Sequence, residues 1–419
     1  MGADARRSTG GAAAGDRPPV TAAPACCIAG GGPAGMMLGL LLARAGVRVR
    51  VLEKHSDFLR DFRGDTIHPS TLQVLDDIGL IDAFLALPHR KVRRVRLPAS
   101  RGSVDVDLAR LGGRYPYIAF VPQWDFLDLV AAEGCRLPNF HLSMGSEVRD
   151  LLVEEGRVVG VRTRDDGGDE EVRALLTIGA DGRDSVVRQR SGIEVAETSP
   201  PMDVFWFRVS RRPDDPDGLV ARVGGGHMAV LIDRGAYWQI AYIIPKGAGD
   251  EVRQQGIESL RDTVGQLVPE FGERVQEIGG WDDVSLLTVR SNHVRRWWRP
   301  GLLLIGDAAH AMSPIGGVGI NLAVQDAVAA HNILARPLLR GRVDDGLLAR
   351  VERRRRLPAA LTQRVQAMLQ STVVAPALGA RPAEVPWPVR TLLRTPYVDR
   401  LLPRFVGQGF RPERVRPAP

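Results

Sequence analysis

Apolar and polar positions between residues 24 and 53 follow the order strand, turn, helix, strand. The run 25–29 is short and continuously apolar, and a glycine-rich turn follows it. Residues 36–45 favour a helix that Gly46 ends, and residues 47–52 alternate between apolar and polar side chains as a half-buried strand does. The pattern therefore predicts a complete βαβ unit near the start of the chain.

The middle of the chain combines helical periodicity with short alternating runs. Helical spacing of apolar residues predicts helices over 69–79, 124–135 and 257–278. Strand-like runs predict antiparallel strands within 91–107, a hairpin over 147–164, a buried strand over 175–178, and further strands over 204–210, 228–232 and 237–244. These short strands indicate a mainly antiparallel β block.

A second strand-loop-helix unit follows this block. Residues 302–305 are apolar, a loop rich in glycine comes next, and a helix begins near Gly319 and continues to about residue 335. Residues 341–419 are rich in arginine and proline and are expected to be mostly helical or extended. The whole pattern predicts an α/β fold with an inserted antiparallel sheet, and a cleft between the two layers where ligands usually bind.

Composition favours a globular protein that does not enter a membrane. The chain has 419 residues, 44% of them hydrophobic and 25% charged, and it contains no apolar run of about eighteen residues. Residues 1–23 are small and polar, without the apolar core of a secretory signal, and we expect a disordered tail. Cys26, Cys27 and Cys135 provide no disulfide framework, so we expect buried thiols at the first two and a cytoplasmic protein.

The positive charge changes this picture little. The net charge is +7, and the densest basic run is 353–356, inside a segment that looks helical. We interpret this run as a solvated helix face and expect no nucleic-acid partner, because the chain has no basic tail and no aromatic-interleaved patch. The sequence also shows none of the motifs of a zinc hydrolase or a serine hydrolase, and no metal site is expected.

The first candidate site is the glycine turn 30–35, which satisfies the pattern GxGxxG. Gly30 permits the tight turn, Gly32 lets the backbone approach a pyrophosphate, and Gly35 lets the helix pack close to the strand. The helix then offers free N–H groups to the phosphates. Glu53, at the end of the next strand, can accept both hydroxyl hydrogens of an adenosine ribose. This site alone does not separate FAD from NAD.

The second candidate site reads LLLIGDAAHAMSPIGGVGIN over 302–321. Asp307 follows an apolar strand and can hold a sugar or ribityl hydroxyl. The proline- and glycine-rich loop carries few side chains, so a flat ring can lie against its backbone. The helix that begins near Gly319 would place positive potential at one edge of that ring.

Three motifs, taken together, resemble the aromatic-hydroxylase-type flavoprotein monooxygenases with the para-hydroxybenzoate hydroxylase fold. They are GGGPAG at 30–35, GADGRDSVVR at 179–188 and GDAAHAMSPIGGVGINLAVQD at 306–326. The resemblance covers roughly residues 24–335 and implies a Rossmann-like FAD-binding domain, an inserted mainly antiparallel β-sheet substrate domain and a helical C-terminal segment. The implied boundaries are 24–90, 121–200 and 285–340 for the FAD-binding domain, 91–120 and 201–284 for the substrate domain, and 341–419 for the C-terminal segment.

The resemblance also implies residue roles. Arg63 would contact the pyrophosphate and assist NAD(P)H, Pro314 would abut the flavin ring, and Arg208 could steady a phenolate, which makes these three the catalytic candidates. The expected FAD contacts are Gly30, Gly32, Pro33, Ala34, Gly35, Glu53, Lys54, Arg63, Gln123, Asp181, Gly306, Asp307, Pro314, Gly317, Gly319, Ile320 and Asn321.

Several of these residues have a plainer alternative. Arg63 could form a surface salt bridge, Gln123 could cap the helix that follows it, and Asp181 could only shape its turn. For His310 and His68 we favour a structural role over acid–base chemistry.

The implied reaction uses FAD, NAD(P)H and O2. A flavin hydroperoxide would hydroxylate or epoxidise an aromatic or polyketide-like small molecule in the cleft, and the protein would position the ring and exclude water. Two alternatives stay open: a related flavoenzyme such as a halogenase or a double-bond reductase, and a non-catalytic FAD-binding protein that sequesters an intermediate. The Trp-x-Trp-x-Ile-Pro segment of the halogenases is absent from the sequence. The sequence does not indicate the oligomeric state.

Overall fold

The computed structural model describes residues 23–59, 65–98, 103–215, 218–379 and 398–417. The expected disordered tail therefore lies outside the described residues, apart from residue 23. The strands are β1 Cys26–Ala29, β2 Val49–Glu53, β3 Thr66–Ile67, β4 Arg90–Val92, β5 Arg94–Pro98, β6 Ser103–Asp107, β7 Ile118–Phe120, β8 Phe140–Met144, β9 Glu147–Glu154, β10 Arg157–Asp165, β11 Gly168–Arg173, β12 Leu176–Gly179, β13 Val195–Thr198, β14 Met202–Ser210, β15 Leu219–Gly224, β16 His227–Asp233, β17 Tyr237–Pro245, β18 Ser285–Leu287, β19 Ser291–Val294, β20 Trp298–Arg299 and β21 Leu302–Leu304.

The helices are α1 Pro33–Arg44, α2 Pro69–Asp77, α3 Ile81–Leu85, α4 Gln123–Cys135, α5 Val186–Ser191, α6 Gly249–Gln254, α7 Ile257–Leu267, α8 Asp307–His310, α9 Gly319–Leu339, α10 Asp345–Leu369, α11 Ala375–Leu378 and α12 Val398–Gln408. Short 3-10 helices cover Leu108–Leu111, Pro269–Glu277, Trp281–Asp283 and Ile315–Gly317, and a π-helical turn covers Gln370–Val374.

A six-stranded sheet in the order β20-β21-β12-β1-β2-β8 forms the nucleotide-binding part. Strands β21, β12, β1, β2 and β8 run parallel, and β20 pairs antiparallel at the edge. The amphipathic pattern is weak in α1 because the helix is buried on nearly all sides, as its apolar sequence from Met36 to Ala43 requires. Cys26 and Cys27 are fully buried in β1, as the sequence predicts.

The parallel order brings four chain segments to one edge of this sheet. The carboxyl ends of β2, β1, β12 and β21 are neighbours, and they are followed or closed by Glu53, Gly30, Asp181 and Gly306 respectively. Ligands in open α/β sheets bind outside the carboxyl ends of the strands. The topology thus gathers three separate sequence motifs into one place.

A five-stranded antiparallel sheet, in the order β15-β16-β17-β14-β18, forms the second layer. One face carries Phe205, Phe207 and Trp238, which pack under α7 and the following 3-10 helix. The other face carries Val204 and Ala241. It packs with Ile315, in the loop between α8 and α9, and with residues of the C-terminal helices. The alternation along β14 therefore separates a face packed under α7 from a second face, here called the cleft face because the sequence predicts the cleft on this side.

The C-terminal segment packs back onto the nucleotide-binding part. Helix α10 contacts α9, and α12 contacts α2. Arg355 of α10 is 1% exposed and donates from Nε to Asp326 Oδ1 at 2.9 Å. The interpretation of 353–356 as a solvated helix face is therefore wrong for Arg355, because this arginine neutralises a carboxylate that is itself fully buried.

The fold class predicted from the sequence is confirmed, with differences at element ends. The segment 257–278 is not one helix, because Val268 (φ −131°, ψ 72°) ends α7 and Gly272 (φ 53°) interrupts the 3-10 helix that follows. Strand β15 was not predicted. Strand β18 pairs with β14, so residues 285–287 belong to the five-stranded sheet, although the boundary drawn at 284/285 put them in the FAD-binding part.

Candidate active site

In the first glycine turn, residues 30–35, close packing requires two of the glycines but does not require a third. Gly30 has φ 102°, and a side chain there would overlap the carbonyl oxygen of Ala180. A side chain at Gly35 would overlap the carbonyl oxygen of Gly30. A Cβ at Gly32 would instead meet no atom within 4 Å. Two glycines therefore serve packing, and Gly32 borders the free space in front of helix α1, whose first residues are Pro33 and Ala34.

Glu53 lies directly beside this turn. Its Oε2 accepts a hydrogen bond from the Gly31 N–H at 2.8 Å, and its Oε1 accepts one from the His55 N–H at 3.1 Å. The carboxylate is thus held at the edge of the free space, where a ribose attached to the pyrophosphate would lie. Lys54 follows it as an exposed residue.

Asp181 uses both oxygens inside its own loop. Oδ1 accepts from the Ser185 hydroxyl at 2.5 Å, and Oδ2 accepts from the Val187 N–H at 3.0 Å, so the carboxylate caps α5. Burial raises the pKa of this carboxyl, against the lowering effect of those bonds. The geometry supports the plainer alternative for the side chain, which shapes the turn that packs against Gly30.

The second corner lies next to the first. Gly306 has φ 60°, and a Cβ there would be 3.0 Å from the Cβ of Ala34 in α1. Asp307, the first residue of α8, is one-third exposed, and its Oδ2 accepts from Arg183 Nε at 3.2 Å. The two glycine corners are therefore in contact, as one elongated dinucleotide would require.

The loop after α8 contains Pro314 and a 3-10 turn over Ile315–Gly317. Gly317 has φ 62°, and a side chain there would overlap the Thr66 hydroxyl, which donates to the Gly317 carbonyl oxygen at 2.5 Å. The backbone of this loop is accordingly fixed from β3. Pro314 is half-buried on the loop.

Helix α9 begins at Gly319 with Ile320 and Asn321 buried in its first turn. The side-chain oxygen of Asn321 accepts from Ser70 Oγ and Thr71 Oγ1, both at 2.7 Å. This oxygen ties α9 to α2, and the backbone N–H groups of the first turn have no acceptor within the helix.

A pair that the sequence analysis missed joins the two layers. Buried Arg234, in the turn between β16 and β17, donates to Gln239 Oε1 at 2.8 Å and pairs with Asp65. Asp65 Oδ1 also accepts from the Gln123 N–H at 3.4 Å, at the start of α4. Burial lowers the pKa of Arg234 to about 10. No local pattern in the sequence marks this pair, because its two residues are far apart in the chain.

The remaining candidates have different outcomes. Arg63 lies outside the described residues. Arg208 is exposed on the cleft-facing side of β14, and its guanidinium carbon lies 5.1 Å from the centroid of the Tyr237 ring. His310 Nε2 lies 2.6 Å from Asp326 Oδ2 in the core, and His68 Nδ1 lies 2.8 Å from the Val406 carbonyl oxygen. Both histidines are buried in structural contacts, as favoured from the sequence.

Comparison with known proteins agrees with this geometry. A family model described as an FAD binding domain matches residues 23–365. The chain is 34% identical over 389 residues to the 6-methylpretetramide 4-monooxygenase of Streptomyces rimosus, and the match covers 92% of each protein. The chain belongs to the FAD-dependent aromatic-hydroxylase-type monooxygenases.

Two further relatives match over a smaller share of their own length. The rifampicin monooxygenase of Streptomyces venezuelae is 28% identical over 325 residues, and the match covers 70% of this chain and 60% of that protein. The crystallised anhydrotetracycline hydroxylase OxyS of Streptomyces rimosus is 26% identical with a TM-score of 0.72, covering 92% of this chain and 75% of that one.

The residues at the two corners fit the cofactor of this family. The free space at Gly32 would be filled by a larger side chain, and the first N–H groups of α1 border it. Glu53 provides a carboxylate beside the first corner, and Asp307 provides one at the second. No helix within the described ranges is long and apolar enough to cross a membrane.

Proposed function

We propose that this FAD-dependent monooxygenase uses NAD(P)H and O2 to hydroxylate a fused-ring aromatic substrate of polyketide type. The observation that carries the proposal is the contact between the Gly32 corner and the Asp307 corner, in a chain that matches a 6-methylpretetramide 4-monooxygenase along 92% of both lengths. Another relative, the anhydrotetracycline monooxygenase of Streptomyces rimosus, is named for a substrate of the same class.

Each corner has a distinct task toward the cofactor. Bound FAD would supply the electron transfer and the activation of oxygen. The N–H groups at Gly32 and Ala34 would hold its pyrophosphate, Glu53 the adenosine ribose and Asp307 the ribityl hydroxyls. The first turn of α9, near Gly319, would place a partial positive charge beside the ring and favour the negative charge gained on reduction.

The cleft face of the antiparallel sheet suits a flat apolar substrate. Half-buried side chains of the sheet, the loop and the C-terminal helices meet there, namely Trp206, Val230, Leu287, Ile315 and Leu378. Such a lining excludes water from the reacting atoms. Arg208 and Tyr237 stack at one margin of this face, where a cation can stabilise a phenolate oxygen.

The reductant and the location complete the proposal. Arg63, in the segment RGDT that ends at Thr66, would assist NAD(P)H, as the resemblance implies. A reducing cytoplasm fits the three free thiols, Cys26, Cys27 and Cys135.

The test is oxygen transfer from labelled O2. The purified protein is loaded with FAD, supplied with NADPH or NADH, and offered fused-ring phenols alongside single-ring phenols under 18O2. The proposal expects a product heavier by one 18O atom and a preference for fused rings. Consumption of NAD(P)H with no labelled product from any phenol would contradict it.

A further inference from the structure

One side chain of the C-terminal segment forms hydrogen bonds to the backbone of the loop that carries Pro314. Gln366 of α10 donates from Nε2 to the carbonyl oxygen of Ser313 at 2.9 Å and to that of Ile315 at 2.8 Å. These two carbonyls flank Pro314, which has no N–H of its own with which to anchor the loop. A single amide group therefore fixes the peptide on both sides of the proline.

Helix α10 places Gln366 on its buried side. Its buried positions follow helical spacing through Arg355, Ala359, Thr362 and Gln366, and Gln366 is only 5% exposed. Three of the seven buried positions of α10 are polar, namely Arg355, Thr362 and Gln366. Of these, Gln366 faces two backbone carbonyls of the loop, and buried carbonyls require donors.

Another glutamine of the same helix provides an internal comparison. Gln363 Nε2 donates to the carbonyl oxygens of Asn292 at 2.9 Å and Ala311 at 3.1 Å. It lies one turn before Gln366 and makes the same number of bonds to backbone. Ala311 lies at the start of the loop and Asn292 lies in β19, so Gln363 ties the start of the loop to that strand without bracketing Pro314.

We propose that Gln366 is a positioning residue that sets where the Pro314 peptide meets the flavin ring, and so determines how completely oxygen consumption is coupled to hydroxylation. The proposal rests on the proposed function. With a well-placed ring, NAD(P)H, H⁺, O2 and the substrate C–H give NAD(P)⁺, water and the hydroxylated product. With a displaced ring, NAD(P)H, H⁺ and O2 give NAD(P)⁺ and hydrogen peroxide, and the substrate is unchanged.

The physical reason is the cost of losing the two donors. Without Gln366, two carbonyls beside Pro314 lose their partners while the packing that buries them remains, and the loop gains freedom to shift. A shift of about 1 Å at a reacting centre is enough to lower a rate substantially. Gln363 does not have this effect, since its carbonyls are further from the proline.

The test compares Gln366→Met with Gln363→Met, because methionine keeps the length of the side chain and removes its hydrogen bonds. In the FAD-free proteins, amide hydrogen exchange is measured over 312–318. Gln366→Met should raise the exchange rate there on the order of tenfold, the effect of losing one or two hydrogen bonds, and Gln363→Met should raise it less. Equal exchange in both variants would overturn the proposal without touching the proposed function.

In the FAD-loaded proteins, the peroxide formed per NAD(P)H and the visible spectrum of bound FAD are measured. We expect Gln366→Met to raise the peroxide fraction and shift the spectrum, while Gln363→Met loses similar thermal stability with neither change. Gln366→Glu, which as a neutral buried acid keeps one donor, should be intermediate and provides the test if the methionine variant does not fold. A peroxide fraction that follows thermal stability in all three variants would show a merely structural role.

Discussion

At the scale of single residues, the glycines of the first corner divide into two kinds. Gly30 and Gly35 are required by backbone contacts that exist without any ligand. Gly32 has φ −73° and ψ −177°, a conformation open to any residue, and it faces free space. The fold itself therefore does not require glycine at position 32.

Gly32→Val should consequently abolish FAD binding while leaving the FAD-free protein folded. The valine side chain would occupy the space meant for the pyrophosphate, and a surface-like substitution without strain changes the free energy of unfolding by only about 0.5 kcal/mol. Isothermal titration with FAD and urea unfolding of the FAD-free protein measure the two effects. Gly35→Ala is the control that should destabilise the fold itself. Normal FAD binding by Gly32→Val would show that the cradle is misplaced.

Asp181 should make the free energy of unfolding depend on pH. Burial raises the pKa of its carboxyl above the unfolded value, so the folded state holds the proton more tightly. The contribution of this group to stability is thus largest below the unfolded pKa and falls as pH rises through the raised folded pKa. Asp181→Asn should remove that part of the decline, measured as the free energy of unfolding against pH. An unchanged pH profile would contradict the assignment.

At the scale of elements, a buried cluster of ionisable side chains joins three helices at the second corner. Asp326 of α9 contacts His310 of α8 and Arg355 of α10. Burial raises the pKa of Asp326, but His310 and Arg355 outweigh it, and the net pKa is lowered. The stability that this carboxylate contributes is therefore present above its unfolded pKa and is lost as pH falls through the lower folded value.

Asp326→Asn should accordingly destabilise the protein at neutral pH, because it leaves the Arg355 guanidinium buried without its counter-charge. The expected cost is about 3–5 kcal/mol, the usual effect of breaking one side of a buried pair. Urea unfolding between pH 7 and pH 2 measures it, and the difference between variant and parent should shrink only below about pH 4, the unfolded pKa of an aspartate. If the difference in free energy of unfolding stays constant with pH, Asp326 does not act as a charged partner of Arg355.

Element types were predictable where periodicity was strong. The helices at Pro69 and Gly319 and the strands of the βαβ unit follow directly from apolar spacing. The 3-10 helix over Pro269–Glu277 was not, because its apolar spacing resembles an α-helix, whereas the backbone is non-helical at Val268 and again at Gly272. Partners distant in sequence, such as Gln366 with the Pro314 loop, carry no local signal at all.

At the scale of the whole molecule, the two layers are joined by Arg234 and Asp65. Sequence reasoning could place the glycine motifs in one site, because their order matches a known family. It could not find this pair, since the two residues are far apart in the chain and only the packing of the two layers brings them together. The pair also lies beside the flavin-side loop, because Asp65 adjoins Thr66, whose hydroxyl donates to the Gly317 carbonyl oxygen.

A double-mutant cycle with Asp65→Asn and Arg234→Met should therefore give a coupling free energy of about 0.5–3 kcal/mol in urea unfolding, as residues in contact do. The pair Arg164 and Asp169, exposed on β10 and β11, is the control and should couple by less than about 1 kcal/mol. Additive effects at Asp65 and Arg234 would mean that the layers are not joined through this contact.

The account depends above all on a single FAD spanning both glycine corners, and a crystal structure of the protein grown with FAD tests this most directly. We expect the pyrophosphate at the N–H groups that follow Gly32, the adenosine ribose at Glu53, and the ribityl chain at Asp307 with the ring against Pro314. An FAD bound with its pyrophosphate away from Gly32, or with its ribityl chain out of reach of Asp307, would contradict it.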